Sequence, residues 1–374
     1  MRSVHLFCAF LLAVSPLLVQ GQDLAKIPPA MQSFVDKGEI SGAVCLVSDS
    51  ERTLHLSAVG LSDLESKAEM KTDAIFRIAS MTKPVTATAL MQLVAAGKLK
   101  LEDPVAKYIP SFAALKLKDG SAPRAVTIKD VMTHTAGVGG SAGWVENATL
   151  AEYCEGIAKE PLAFKPGEKW SYSSGITIGG RIIEVVSGEE YAAYLKNHIF
   201  DPLEMKDTGF TLTTEQAKRV AATYKNGAIA GTLEKTPTPD PTSARTPSPS
   251  GGLYSSAEDM ARFYRAVLQD LKVGKGNLLP SSAAETMLSK HSGDLETGFT
   301  PGNAWGIGWC LVQKPQGVTK KLSSGSFGHG GAWGTQGWVD PVKDRIVILM
   351  IQRVGLPNSD ASNMREVLND LAIP

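Results

Sequence analysis

The chain has 374 residues, more than a minimal domain needs and enough for one large core or two coupled ones. Hydrophobic residues make up 43% and charged residues 20%, which excludes a disordered chain. Formal net charge is zero, so no field steers the protein toward nucleic acid or an anionic membrane, and the expected partner is a small, roughly neutral molecule.

Met1-Arg2 supplies a short positive start, Leu6 to Val19 is nearly all apolar, and Val19-Gln20-Gly21 offers a cleavage site. Residues 1–21 therefore read as a secretory signal peptide, too short in its apolar run for the roughly 20 residues that span a bilayer. No later segment is long and apolar enough to span. The expected protein is bacterial, periplasmic or secreted, with no stable membrane anchor after cleavage, and nothing in the sequence sets an oligomeric state. Cleavage leaves Cys45, Cys154 and Cys310, too widely spaced for a C-x-x-C pair. One bridge plus a thiol remains open, and three buried thiols suit so large a core better.

Leu24 to Lys37 has helical spacing, and Ala43 to Val47 with Thr53 to Leu56 reads as a strand pair. Ile75 to Ile78 is a further extended stretch. Val85 to Ala96 is apolar on nearly every face and ends at Gly97, as a helix in the middle of a core would be. Helical patterns follow at Ile128 to Thr133, Leu150 to Ala158, Gly179 to Val186 and Tyr191 to Ile199. Pro237, Pro239, Pro241, Pro247 and Pro249 punctuate an aperiodic stretch, read as a long surface loop near a site rather than a linker. Ser255-Ser256-Ala257-Glu258 reads as a capping box for a helix through Phe263 to Leu271. Strands return at Ala304 to Cys310, Thr335 to Val339 and Arg345 to Ile351, and a helix over 359–372 closes the chain. Strands at both ends around a helical middle predict a mixed α/β fold. Its antiparallel sheet comes from the two chain ends (22–100 and 250–374), flanked by helices, with a mostly helical insertion at 101–249.

The sequence contains one Ser-x-x-Lys, Ser80-Met81-Thr82-Lys83, between an extended stretch and the apolar helix. Pro84 places the helix start within about a turn of Ser80, since proline is tolerated only in a first turn. Residues three apart share a helical face, so the amine reaches the hydroxyl. A desolvated lysine loses its proton easily and becomes a usable base. The competing reading, an N-cap serine beside a surface lysine, has equal standing on this context alone. Two further stretches decide between them: Pro166-Gly167-Glu168-Lys169-Trp170-Ser171-Tyr172-Ser173-Ser174, a turn leading to a tyrosine, and Gly328-His329-Gly330-Gly331-Ala332 in the strand-rich end.

With these residues together, nearly the whole chain after the leader resembles the serine β-lactamase-like group: class C β-lactamases, D-Ala-D-Ala carboxypeptidases and family VIII carboxylesterases. Ile78-Ala79-Ser80-Met81-Thr82-Lys83, Gly97 to Val105, Thr133-His134-Thr135-Ala136-Gly137, Pro166-Gly167-Glu168, Pro202-Leu203-Glu204-Met205, Gly251 to Ser255 and Trp305 to Trp309 follow in that family's order. The resemblance implies a serine hydrolase working through an acyl-enzyme without metal or organic cofactor. Ser80 would be the nucleophile, Lys83 and Tyr172 the proton carriers, and the backbone N–H groups of Ser80 and Ala332 the oxyanion hole. His329-Gly330-Gly331 stands where the family has Lys-Thr-Gly, His-Thr-Gly or His-Gly-Gly, and with Ser174 would contact substrate.

Two departures bear on substrate. Ser174 replaces the asparagine of lactamases and peptidases and lacks a two-ended amide. His329 replaces a lysine that would meet a carboxylate, and histidine is mostly neutral at pH 7. The expectation is an esterase on small neutral esters. The alternatives are a β-lactamase or a D-Ala-D-Ala carboxypeptidase or D-aminopeptidase on cell-wall-type amides, and a non-catalytic module binding β-lactams or cell-wall peptide. Gly139-Gly140-Ser141-Ala142-Gly143 spells a G-x-S-x-G elbow but follows a helix-like stretch, so it is read as a glycine-rich loop. His134 is expected to hydrogen-bond locally and fix its turn. Trp305, Trp309 and Trp333 either line a cleft or pack. Asn147-Ala148-Thr149 is a glycosylation sequon without meaning in a bacterial protein.

Overall fold

The computed structural model describes residues 23–139, 148–274, 276–298, 300–356 and 362–374. The leader, most of the G-x-S-x-G stretch and Asn147 lie outside the described residues.

Chain order begins with α1 (Ile27–Asp36), the hairpin of β1 (Gly42–Ser48) and β2 (Thr53–Asp63), then β3 (Ala68–Glu69), β4 (Ile75–Arg77) and α2 (Thr82–Ala95). The middle supplies α3 (Ile128–Met132), α4 (Leu150–Ala158), α5 (Gly175–Ser187), α6 (Tyr191–Leu195), α7 (Thr214–Ala217) and a two-stranded ribbon, β5 (Tyr224–Asn226) with β6 (Leu233–Lys235). After β7 (Tyr254–Ser256), α8 (Ala257–Val273) and α9 (Ser281–Met287) come β8 (Asn303–Trp305), β9 (Cys310–Val312), β10 (Phe327–Gly330), β11 (Gln336–Asp340), β12 (Arg345–Met350) and α10 (Asn363–Ala372).

Eight strands form one antiparallel sheet in the order β3-β2-β1-β12-β11-β10-β9-β8, joining the two chain ends at the β1–β12 pair, where Leu46 faces Ile348. Both of these strands are apolar runs because both faces are covered. Val44, Leu46, Ile348 and Met350 join the core under α2 and α8, while Ala43, Cys45, Val47, Val347 and Leu349 pack against α1 and α10. The expected mixed α/β architecture is the one observed.

Helix α2 runs through the centre, with every residue from Thr82 to Met91 buried. Cys45, Cys154 and Cys310 are buried thiols outside any disulfide, and Cys310 Sγ accepts from Asn303 Nδ2 at 3.3 Å. The proline-rich stretch is irregular, and Thr86 Oγ1 ties its end to α2 by donating to Pro249 O at 2.7 Å.

Three expectations are corrected. The cap of α8 is Ser256, which accepts from Asp259 N at 3.2 Å, not Ser255 paired with Glu258. Ser255 is held in β7 by its pairing with Phe76, so the helix starts one residue later. The stretch Ala304 to Cys310 is not one strand: it breaks into β8 and β9 around Gly306 to Trp309, where Gly308 takes φ +70°. Helix α5 begins at Gly175 rather than Gly179, because a side chain at 175 would meet Val131 O of α3 at 2.5 Å, and glycine lets the helices touch.

Candidate active site

Ser80 sits in a single 3₁₀ turn, Ala79–Met81, wedged between β4 and α2. The turn is forced by Ala79, a buried non-glycine residue at φ +46°. Such strain persists only where the surroundings over-determine it. Thr82 Oγ1 donates to Ala79 O at 2.7 Å, and Ile78 N donates to Leu253 O at 3.0 Å, so both sides of the turn are fixed.

Lys83 lies in the first turn of α2 and is 3% exposed. Its Nζ is 3.0 Å from Ser80 Oγ and donates to Ser250 O at 2.6 Å. Burial pulls its pKa from an ordinary 10.5 down to about 7. A neutral amine can donate one N–H to Ser250 O and turn its lone pair to the Ser80 hydroxyl. The spacing read from the sequence therefore places the two side chains in contact, and the surface-lysine reading is excluded. Nζ also stands 4.7 Å from the centre of the Tyr172 ring, which brings the third expected residue to the same place.

Tyr172 is held by the segment Thr133 to Gly137. Gly137 O accepts from Ala163 N, Thr135 O from Gly167 N, and His134 O from Ser171 N, all within 2.9 Å. His134, at φ +61°, then turns its ring inward, where Nδ1 accepts from Ser173 N at 3.1 Å and the ring lies 4.6 Å from that of Tyr172. Accepting at Nδ1 puts the proton of the neutral ring on Nε2. Burial holds the His134 pKa well below the ordinary histidine value, with the charge of Lys83 adding to it. The local structural role expected for His134 is thus observed, with Tyr172 as the residue it fixes. Trp170 and Trp305 complete an aromatic wall, 5.4 Å apart. Trp309 packs in the core against Phe327, and Trp333 lies under the guanidinium of Arg77.

His329 stands on β10, paired with Gly337, its ring 6.1 Å from that of Tyr172. Nδ1 donates to Gly330 O at 2.6 Å, which makes Nε2 the acceptor of the neutral ring. Burial lowers its pKa to about 3, and the nearby charge of Lys83 adds to the effect. Gly331 follows where no side chain fits, since a Cβ would meet Ile78 O at 2.5 Å and run into Thr335 Oγ1. Ala332 is exposed at the head of the β10–β11 turn. Ser174, the N-cap of α5, is half-buried, and its Oγ donates to Gly139 O at 3.4 Å. Among the described residues, no group of His, Cys, Asp and Glu side chains is placed to hold a metal.

Sequence reasoning missed Ser250, which contributes only a carbonyl, and Arg365 of α10, whose Nη2 reaches the β10–β11 turn. Arg365 leaves a faint signal: it and Asn369 stand four apart on the helix stripe shared with Leu368 and Ala372.

Comparison with known proteins agrees with this geometry. The chain is 29% identical over 361 residues to esterase EstB of Burkholderia gladioli, covering 87% of this chain and 89% of that one. It is 31% identical over 332 residues to penicillin-binding protein 4 of Amycolatopsis lactamdurans, covering 85% and 83%. Its fold superposes on EstCE1, described as a hydrolase with promiscuous acyltransferase activity, with a TM-score of 0.79 at 24% identity, covering 94% of this chain and 98% of that one. The family model for beta-lactamase matches residues 28–371, so the protein belongs to the beta-lactamase family of serine hydrolases.

Proposed function

We propose that this protein is an exported esterase acting on small neutral esters, with Ser80 as nucleophile. The observation that carries the proposal is the buried Lys83 amine, 3.0 Å from Ser80 Oγ with a pKa of about 7. Neutral Lys83 takes the hydroxyl proton as Ser80 Oγ attacks the acyl carbon. The oxyanion accepts from the N–H groups of Ser80 and Ala332. The proton held by Lys83 passes, with Tyr172, to the departing alkoxide and leaves an acyl-Ser80 ester. Water then attacks, gives its proton back through the same pair, and releases the acid.

The substrate preference rests on charge. His329, followed by Gly330 and Gly331, is buried and neutral throughout the physiological range and cannot answer a carboxylate as a lysine would. Ser174 has one hydroxyl, already directed to Gly139 O. A neutral ester needs neither contact. The resemblance to an esterase supports this reading, and the resemblance to a penicillin-binding protein keeps amide or β-lactam substrates as the second reading.

The test is initial rates on a short-chain nitrophenyl ester and a chromogenic cephalosporin, with Ser80→Ala beside the wild type. Ester turnover, abolished by the substitution, with little cephalosporin hydrolysis is the expected result. Efficient cephalosporin hydrolysis would overturn the substrate assignment, and undiminished Ser80→Ala would overturn the nucleophile. Acyl label on Ser80 without turnover would point to a binding module.

A further inference from the structure

Helix α10 buries a guanidinium. Arg365 is 1% exposed, in line with Leu368, Asn369 and Ala372 on the stripe that packs against the sheet. Arginine cannot shed its charge, so its burial is costly unless the fork meets acceptors. Nη2 donates to Thr335 O at 2.5 Å and to Gly331 O at 3.3 Å. Both carbonyls belong to the neck of the β10–β11 turn, which is closed by Gly331 N to Thr335 O at 2.7 Å and Gly334 N to Gly331 O at 2.9 Å. The same neck is tied to the nucleophile: Thr335 Oγ1 donates to Ile78 O at 3.3 Å, and Ile78 O also accepts from Met81 N, next to Ser80.

The carbonyl of Gly331 and the N–H of Ala332 are two ends of one peptide group. We infer that Arg365 is a positioning residue for the oxyanion hole, its cation holding and polarising the Gly331–Ala332 peptide so that the Ala332 N–H is aimed and strengthened as a donor. This rests on the oxyanion role of Ala332 proposed above. In a water-excluded site, hydrogen bonds in series reinforce one another, and a fixed cation behind the donor favours the negative charge that develops in front of it. Its charge also reaches the site on the His329 side, where it adds to the forces keeping that ring neutral. A guanidinium that merely fastened α10 to the sheet would affect stability and leave the chemistry of the folded protein unchanged.

Arg365→Met and Arg365→Lys separate the two roles when kcat, KM, melting temperature and affinity for an arylboronic acid, which forms a tetrahedral adduct on serine, are measured together. Losing a whole oxyanion donor costs about 10²–10³ in kcat, so weakening one should cost roughly 10–100-fold. The expected result for Arg365→Met is that fall in kcat, KM within about twofold, and boronate affinity falling by the same factor as kcat. Arg365→Lys keeps the charge and should recover most of both. Unchanged kcat and boronate affinity in folded Arg365→Met would overturn the inference, as would a loss that only tracks the unfolded fraction. Should Arg365→Met not fold, Arg365→Gln decides, since it keeps a donor for the two carbonyls and removes the cation: kcat and boronate affinity falling in proportion supports the role, and no change in either, or kcat alone falling, overturns it. Ser80→Ala isolates the underlying reading. If turnover survives that substitution the nucleophile assignment fails, whereas Ser80-dependent turnover indifferent to Arg365 fails this inference alone.

Discussion

Lys83 carries about half a positive charge less at pH 7 than an ordinary lysine would, and the size of that effect can be measured. Its pKa of about 7 against an ordinary 10.5 raises the neutral fraction at pH 7 from roughly one in three thousand to about one half. At about 1.4 kcal/mol per pH unit, the folded protein disfavours the ammonium by about 5 kcal/mol. The expected profile of kcat/KM therefore rises tenfold per pH unit below 7, bends near 7 and is level above it. Nitrophenyl ester hydrolysis followed at the isosbestic wavelength of nitrophenol reads this without distortion from product ionisation. Neither site histidine can supply the same bend, because burial keeps His329 at about 3 and His134 well below its ordinary value. Lys83→Arg, which stays charged, should lose about 10²–10⁴ in kcat/KM. A stability arm uses the sign of the shift. The depressed pKa means the unfolded chain binds more protons between pH 7 and 10.5, so this group's contribution to stability rises with pH across that window and is lowest below 7. Lys83→Met should accordingly raise the melting temperature more at pH 6 than at pH 9. A flat activity profile, or a bend below pH 5 or above pH 9, would refute the reasoning that burial tunes this lysine as the base.

Two other positions test the packing that holds the site. His134→Asn keeps an oxygen acceptor for Ser173 N and tolerates φ +61°, so it should retain most activity; His134→Leu orphans that donor and should lose about tenfold in kcat and 1–3 kcal/mol in urea unfolding. Gly337→Ala would drive a Cβ into the Tyr264 ring, within 2.6 Å of Cζ, and should cost about 1–3 kcal/mol by urea denaturation, a cost that shrinks in a Tyr264→Leu background.

What the sequence made legible was local. The Ser80–Lys83 pair follows from a three-residue spacing and a proline that fixes the helix start, and α2 follows from apolar side chains on every face. The long strands β1 and β12 announce themselves as unbroken Val, Leu and Ile runs because both faces are buried. Strand β10 does not, since Phe327-Gly328-His329-Gly330 is not an apolar run: Gly328 is required by its neighbours in β11, where a Cβ would meet the Trp338 ring at 2.7 Å. That constraint is invisible until β10 and β11 are paired. Arg365 is hidden in the sequence for the same reason. Its partners are carbonyls about thirty residues earlier in the chain, and any residue type can present a carbonyl.

Main-chain atoms also explain how recognition can be separated from catalysis here. Lys83 is fixed by Ser250 O, Tyr172 is presented by a segment hung on the carbonyls of His134, Thr135 and Gly137, and the β10–β11 turn is fixed by Ile78 O. None of these hydrogen bonds passes through the side chains of Ser174 or His329. Those two positions can change polarity and charge without moving Ser80 relative to Lys83. Under the roles proposed for Ser80 and Lys83, the same pair serves esters, amides or lactams according to what stands at positions 174 and 329. In this chain those positions hold a half-buried serine hydroxyl and a buried, neutral imidazole. That is why the substrate assignment rests on them, while the assignment of Ser80 rests on the buried lysine.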